Sequence, residues 1–252
     1  MTAGFNPLSL NPALWLDASD ASTLYDATSG GSLVTADGAI ARWIDKSGNA
    51  RHPTQSTSAY RPIRKTAVKN GRDVIRFDGT DDFFDVTAFP TTSIDFSVFL
   101  VGKNAAKTFT GSHSNDLQAY IDQDHSGGSG WAFQTRPDIG AGIMTASAFP
   151  NTGGNSNGAV ITQTENVFNV LDFSRVASGS EYLALNGATP AVNASTVAWV
   201  PRSSMRIGKT VGFNRPLNGD IAEILIFSRI LNSSERSTVL AYLATKYEIT
   251  IA

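Results

Sequence analysis

At 252 residues, 41% of them hydrophobic, the chain suits one β-sandwich or barrel, or two smaller domains, with a core that needs no disulfide or metal. It contains no cysteine, which excludes a disulfide framework, thiolate metal sites and cysteine nucleophiles. Charged residues are only 17%, the net charge is −2 and no Lys/Arg cluster occurs, so a nucleic-acid footprint is missing.

In chain order, residues 1–12 (MTAGFNPLSLNP) read as an extended N-terminal arm, too broken and too short of positive charge for a signal peptide. Residues 13–17 (ALWLD) form a short apolar strand, closed by the turn formers Asp17, Ser19 and Asp20. Residues 40–44 alternate like a strand and run into the turn Asp45-Lys46-Ser47-Gly48-Asn49. Two prolines between 51 and 66 leave irregular coil with an edge strand near Ile63. Asn70-Gly71 opens a strand over 73–78, where Val74 and Arg76 share one face and Ile75 and Phe77 the other.

Further strands are expected at 82–86, 96–101, 117–122, 131–135, 167–174, 181–186, 205–208 and 221–227, each bracketed by Gly, Asn, Ser, Asp or Pro. The glycine- and asparagine-rich stretch 140–157 reads as a long surface loop. Past Phe227 the period changes: Val239, Leu240, Leu243 and Tyr247 recur near 3.6 residues, which predicts a helix over 232–247. An Asn/Ser cap, Glu235 in its first turn and Lys246 in its last complete that signature. About a dozen strands at short intervals and one terminal helix predict an all-β antiparallel sandwich, one domain over 1–252, with Trp15 and Trp43 in the core. No run reaches the length of a membrane span.

Three motifs, Leu14-Trp15-Leu16-Asp17-Ala18-Ser19-Asp20, Trp43-Ile44-Asp45-Lys46-Ser47-Gly48-Asn49 and Phe77-Asp78-Gly79-Thr80-Asp81-Asp82, resemble laminin-G-like domains of the concanavalin A-like lectin/glucanase superfamily. The ending, Asn218-Gly219-Asp220-Ile221-Ala222-Glu223, a strand, then Ser234-Glu235-Arg236 leading into Tyr-Leu-Ala-x-Lys-Tyr, is similar to the same group. The resemblance implies a jelly-roll sandwich of two curved antiparallel sheets with one C-terminal amphipathic helix. That fold carries lectins, hydrolases and adhesion modules alike. Family members commonly close the helix with Lys-Tyr-Gly; Glu248 stands in the glycine's place here, which puts the left-handed cap in question.

A glycosidase on this fold needs two carboxylates facing each other across the sugar, supplied in the family by Glu-x-Asp-x-x-Glu. This chain offers only Asp220-Ile-Ala-Glu223, whose spacing puts the acids on opposite faces of a regular strand, with Asp220 read as a turn residue and Glu223 as paired or at an edge. A non-enzyme is therefore expected. Asp81, Asp82 and Asp85, just after Asp78, present oxygen ligands of the kind calcium takes, and are also ordinary turn chemistry. Asp122, Asp124 and His125 form a second acidic loop before a glycine run, a poorer cage. His52, His113 and His125 lack zinc-site spacing, and no Gly-x-Ser-x-Gly elbow is present. For a glycan, which asks for an aromatic platform beside polar readers, the candidates are Trp131, Trp199 and Tyr120 with Asn115, Asp116 and Asp122.

Stand-alone domains of this kind resemble bacteriophage virion proteins, as does the low-charge, turn-rich, leaderless composition. The expected role is a tail or capsid-decoration protein serving adhesion or particle stability, partnered by other virion proteins or a host-surface glycan and placed in the extracellular particle. A homo-oligomer is an expected arrangement; nucleic acid and membrane insertion are not. Two alternatives stand beside it: a secreted carbohydrate-binding module or glycoside hydrolase, and a purely structural virion subunit.

Overall fold

The computed structural model describes residues 4–87, 95–105, 116–124, 130–138, 141–148, 158–176, 179–194 and 202–252. Within the N-terminal segment expected to be extended, Pro7–Leu10 is a 3-10 turn capped by the Asn6 side chain, because proline fixes the φ that such a turn needs.

The strands are β1 (Leu14–Asp17), β2 (Leu24–Tyr25), β3 (Arg42–Trp43), β4 (Ile63–Lys69), β5 (Arg72–Asp78), β6 (Phe84–Val86), β7 (Phe96–Asn104) and β8 (Gln118–Gln123). They continue with β9 (Trp131–Asp138), β10 (Ala141–Ala148), β11 (Val160–Thr162), β12 (Asn169–Arg175), β13 (Ser180–Leu185), β14 (Ala191–Ala194), β15 (Met205–Ile207) and β16 (Asn218–Phe227), and helix α1 (Ser233–Tyr247) follows. The chain is an all-β sandwich with a C-terminal helix. The larger sheet has the order β14-β13-β12-β7-β16-β5-β4, with β1 also on β16; the smaller has β11-β10-β9-β8-β15-β6, and β2 and β3 pair as a ribbon. Among the described residues no helix is long and apolar enough to cross a membrane.

β16 is the spine of the larger sheet. β7 runs along one side, while β5 covers the first half and β1 the second half of the other. Ile221, Ile224 and Ile226 point between the sheets with Leu14, Leu100, Phe133 and Phe173. Ala222, Leu225 and Phe227 point outward onto Val239, Leu243 and Tyr247 of α1. Each fully buried large side chain contributes roughly 1.5–3 kcal/mol, so β16 anchors both layers at once.

The register of β16 against β7 shifts between Ile221 and Glu223. This bulge adds one residue, so Ala222 and Glu223 both face the helix side. Asp220 lies on that side too, since its cross-strand partner Arg76 shares the face of Val74, which packs in the helix-side cluster. The expectation that Asp220 and Glu223 face opposite ways fails for this reason. Asp220 is also no turn residue: it is fully buried inside the strand, held by Arg76 at 2.7 and 2.9 Å and by Lys103 at 3.2 Å.

A second departure is β10, which occupies much of the stretch expected to be a loop and pairs with β9 and β11. Its residues, AGIMTASA, are too small to show an apolar period; the ladder defines the strand instead. Residues 149–157 of that stretch lie outside the described residues.

Helix α1 opens on a capping box: Asn232 Oδ1 accepts from Glu235 N, Glu235 Oε2 accepts from Asn232 N, and Arg229 grips the Glu235 carboxylate. It closes on Glu248 at φ 47°, ψ 54°, so the left-handed cap forms without glycine. Lys69 Nζ and Asn70 Nδ2 donate to the Glu248 and Lys246 carbonyls and hold that end down. An L-residue is strained there, so Glu248→Gly is expected to raise stability by about 0.5–1 kcal/mol. Urea unfolding checks this, and a lower midpoint in the variant would show that the glutamate carries a stabilising contact of its own.

Candidate functional site

The acidic turn between β5 and β6 follows from its sequence. Gly79 has φ +80°, and a Cβ there would lie 2.7 Å from Asn218 Cβ, so only glycine makes this reversal. Asp78 ends β5 with Oδ1 accepting from Thr80 N (2.8 Å) and Asp81 N (3.2 Å), while Asp82 Oδ2 accepts from Asp78 N (3.0 Å). The turn thereby folds three carboxylates onto one point: a ligand oxygen from each of Asp78, Asp81 and Asp82 lies within 4.8 Å of the others. Burial pushes the Asp82 carboxyl up to about 6, and the charges of Asp78 and Asp81 add to this against a bond from the Asp78 amide. A cation placed there relieves that repulsion. Calcium takes six to eight oxygens, which three carboxylates and turn carbonyls begin to supply.

Asp85, grouped with Asp81 and Asp82 from sequence, goes elsewhere. Strand alternation in β6 points Phe84 into the core and Asp85 to the opposite face, where Arg206 Nε bonds it at 2.8 Å. Asp78 takes its place in the cluster.

The same rim carries aromatic surface. Phe83 follows Asp82 directly, with the Arg206 guanidinium 4.3 Å above its ring and Lys209 Nζ at 5.8 Å. Tyr60, 38% exposed, packs on Phe83 at 6.0 Å, and the Phe83 amide donates to the Tyr60 carbonyl. Arg206 is fixed from behind by the Thr210 and Val211 carbonyls, and Val211 N donates to Asp122 at 2.6 Å. The rim thus joins a carboxylate cluster, an exposed ring and a guanidinium. Sequence reasoning missed Tyr60, Phe83 and Arg206, whose one visible signal was an aromatic lodged beside paired aspartates.

The glycan candidates fare differently. Trp131 is 1% exposed, stacked on Phe96 at 5.0 Å with Phe173 behind it, and Tyr120 is fully buried edge-on to Phe133. Neither ring presents a face to a ligand: Trp131 belongs to the inner layer of β9, and a bulge between Ala119 and Ile121 turns Tyr120 inward. Asp116 and Asp122 are buried as well. Asn115 and Trp199 lie outside the described residues, as do His113 and His125; His52 Nδ1 accepts from Asp45 N.

A second charged cluster lies under α1. Glu223 accepts from Trp15 Nε1 (2.8 Å), Tyr242 OH (2.9 Å), Tyr247 OH (2.9 Å) and Lys246 Nζ (2.7 Å). Lys246 also meets Asp17 at 2.8 Å, and Lys46 bridges Asp17 and Asp20. Burial pushes Asp17 upward, but Lys246 beside it, with bonds from Lys246 and Ser19, outweighs that and holds its carboxyl below the usual range. Burial and then the charge of Asp17 push Glu223 up. With Glu223 and Asp17 buried and each charge paired, this cluster pins the helix to the sheet.

No protein-family model matches the chain, and no curated protein matches it. Solved structures do. The binding domain of Paraclostridial Mosquitocidal Protein 1 superposes with a TM-score of 0.60 at 13% identity, over 94% of this chain and 53% of that one. The botulinum neurotoxin serotype D binding domain gives 0.58 at 13% identity, over 94% and 52%. The serotype D ligand binding domain in complex with N-acetylneuraminic acid gives 0.57 at 13%, again over 94% and 52%. The likeness is one of fold. This chain spans about half the length of those it matches.

Proposed function

We propose that this chain is a binding domain of the jelly-roll, laminin-G-like kind that attaches a phage particle, as a tail or capsid-decoration protein, to a surface glycan. The observation that carries the reading is the rim where Asp78, Asp81 and Asp82 converge beside Tyr60, Phe83 and Arg206. Sugars are read by such mixtures, an apolar ring face for stacking and charged groups for hydroxyls. Folds of the same shape belong to binding domains of toxins, one of them in complex with N-acetylneuraminic acid, which supports binding over catalysis. The virion setting rests on the sequence profile. A glycosidase is the weaker reading, because Asp220 and Glu223 share a face yet are both buried in ion pairs beside α1.

Calcium is the cation this rim suits. Chelator-treated protein is expected to melt higher on adding calcium, by about 2.7 kcal/mol of stabilisation at a hundredfold excess over Kd. Asp81→Asn and Asp82→Asn should abolish the shift, while Asp85→Asn, whose partner is Arg206, should keep it. Wild-type protein that ignores calcium in both melting and calorimetry would remove the cation from this account.

A further inference from the structure

Among the described residues, five cations gather on the outer face of the larger sheet, beside the end of α1. Val74 packs in the helix-side cluster, so Arg72 and Arg76, two residues to either side of it on β5, share that face. Lys65 lies directly opposite Val74 on β4, and past a register shift Lys69 lies opposite Arg72. Lys69 Nζ donates to the Glu248 carbonyl at the end of α1, which places it on the helix side too. On the far flank Lys103 of β7 stands opposite Asp220 of β16 and meets its carboxylate at 3.2 Å. These residues form no run in the sequence; strand register brings them together.

Their charge is only partly cancelled. Asp220 is fully buried and shared between Arg76 and Lys103. Lys65 meets Asp37 at 2.5 Å, but that carboxylate is 70% exposed, and surface pairs of this kind are weak and open to exchange. Asp73 turns to the other face, onto Arg64 at 2.7 Å. Asp78, where the acidic rim begins, has one oxygen turned back onto the amides of Thr80 and Asp81. Lys69 and the exposed Arg72 have no carboxylate partner among the described residues.

We propose that this face binds an acidic polysaccharide, its carboxylate groups lying on Arg72, Lys69 and Lys65 and its hydroxyls donating to Asp37 and the exposed Glu248. Charge complementarity selects an anion, since carboxylates bond guanidinium and ammonium groups more strongly than neutral acceptors do. The mixture of charges selects a sugar. A sugar acid brings hydroxyl donors that exposed carboxylates accept, whereas those carboxylates only repel the phosphates of duplex DNA. The face is a sheet surface, with no helix or ribbon standing out of it to enter a groove. Nor do β4 and β5 carry any exposed large apolar side chain that would anchor the face in a lipid surface. At the flank, the half-buried Phe168 ring lies 5.2 Å from Lys103 Nζ and offers an apolar edge to a sugar ring. The inference rests on the glycan-binding reading of the chain and names a class of glycan, held by groups the acidic rim does not supply.

The test is calorimetric titration of the full chain with tetragalacturonate, run in chelator so that no cation at the rim contributes. Maltotetraose is the neutral arm, and a short DNA duplex and phosphatidylserine vesicles are the other polyanions. Tetragalacturonate is expected to bind and maltotetraose not to, with affinity falling as salt is raised. It should fall at least about tenfold in Arg72→Glu and in Lys65→Glu, whose melting curves show whether the fold is kept. Arg72→Lys, which preserves the charge, should bind nearly as wild type does. Arg76 and Lys103 are left alone because removing either strips a partner from the buried Asp220. Binding unchanged in both Glu variants would overturn the face. Tighter binding of the duplex or the vesicles, with the same loss in the variants, would overturn the sugar assignment. No binding of tetragalacturonate would overturn the inference and leave the rim standing, since calcium-dependent retention on a glycan array, unchanged by Arg72→Glu, reads the rim alone.

Discussion

Glu223→Ala is expected to lower folding stability by about 3–5 kcal/mol, the cost of removing one partner from a buried ion pair. The substitution leaves Trp15 Nε1, the Tyr242 and Tyr247 hydroxyls and Lys246 facing a void where four donors met one carboxylate. Since Glu223 is 1% exposed, water cannot replace it without opening the helix–sheet seam. For a chain of this size the melting midpoint should drop by roughly 6–20 °C. Glu223→Gln keeps the shape and an acceptor, and Lys246 keeps Asp17, so it should cost less. Thermal and urea unfolding of the three proteins check the order. A loss below about 1 kcal/mol for the alanine variant would show that apolar packing, not this network, holds α1 in place.

Gly208→Ala should be nearly as damaging, for a different reason. Gly208 has φ +87°, where an alanine is strained, and its Cβ would lie 2.2 Å from Phe77 Cδ1 and Cε1. Phe77 cannot retreat, being fully buried and packed edge-on to Phe84 at 6.2 Å. Strain and overpacking together predict a loss of about 2–5 kcal/mol, read by urea unfolding. The backbone at Gly208 also ties the rim to the core: its amide donates to Tyr120 O and its carbonyl accepts from Leu217 N. The variant should therefore weaken calcium stabilisation at the rim along with the fold. A variant within about 1 kcal/mol of wild type would mean that the β15 turn rearranges freely and does not tie the rim to the core.

What the sequence made legible was local. Asp-Gly and Asn-Gly turns, the apolar run of β16 and the caps of α1 are written in adjacent residues, and so is the all-β sandwich they imply. The motifs around Trp15 and Lys46 and the ending that suggested a family proved to be structural: Trp15, Asp17, Lys46, Glu223, Lys246 and Tyr247 bind one another under the helix. Asp45 likewise gathers the amides of Trp15, Ser47 and Arg51, which closes the turn after β3.

The site was less legible because register decides it. Two bulges reversed two inferences, turning Tyr120 into the core and bringing Asp220 and Glu223 to one face. Trp131 looked available beside a polar loop, yet its strand faces the aromatic layer of Phe96 and Phe173. The rim draws Tyr60, Phe83 and Arg206 from three distant segments, and no window of sequence contains that meeting. Asp81 and Asp82 were readable as ligands, but the strand that begins at Phe84 exchanged Asp85 for Asp78.

The most direct test of the central claim, binding without catalysis, is retention of the labelled chain on a glycan array in calcium and again in chelator, with the eluate assayed for new reducing ends. Retention on a defined set of glycans is expected, with weaker binding in chelator and in Asp82→Asn, and no released sugar. Silence across the array in calcium, or reducing ends appearing with time, would contradict it.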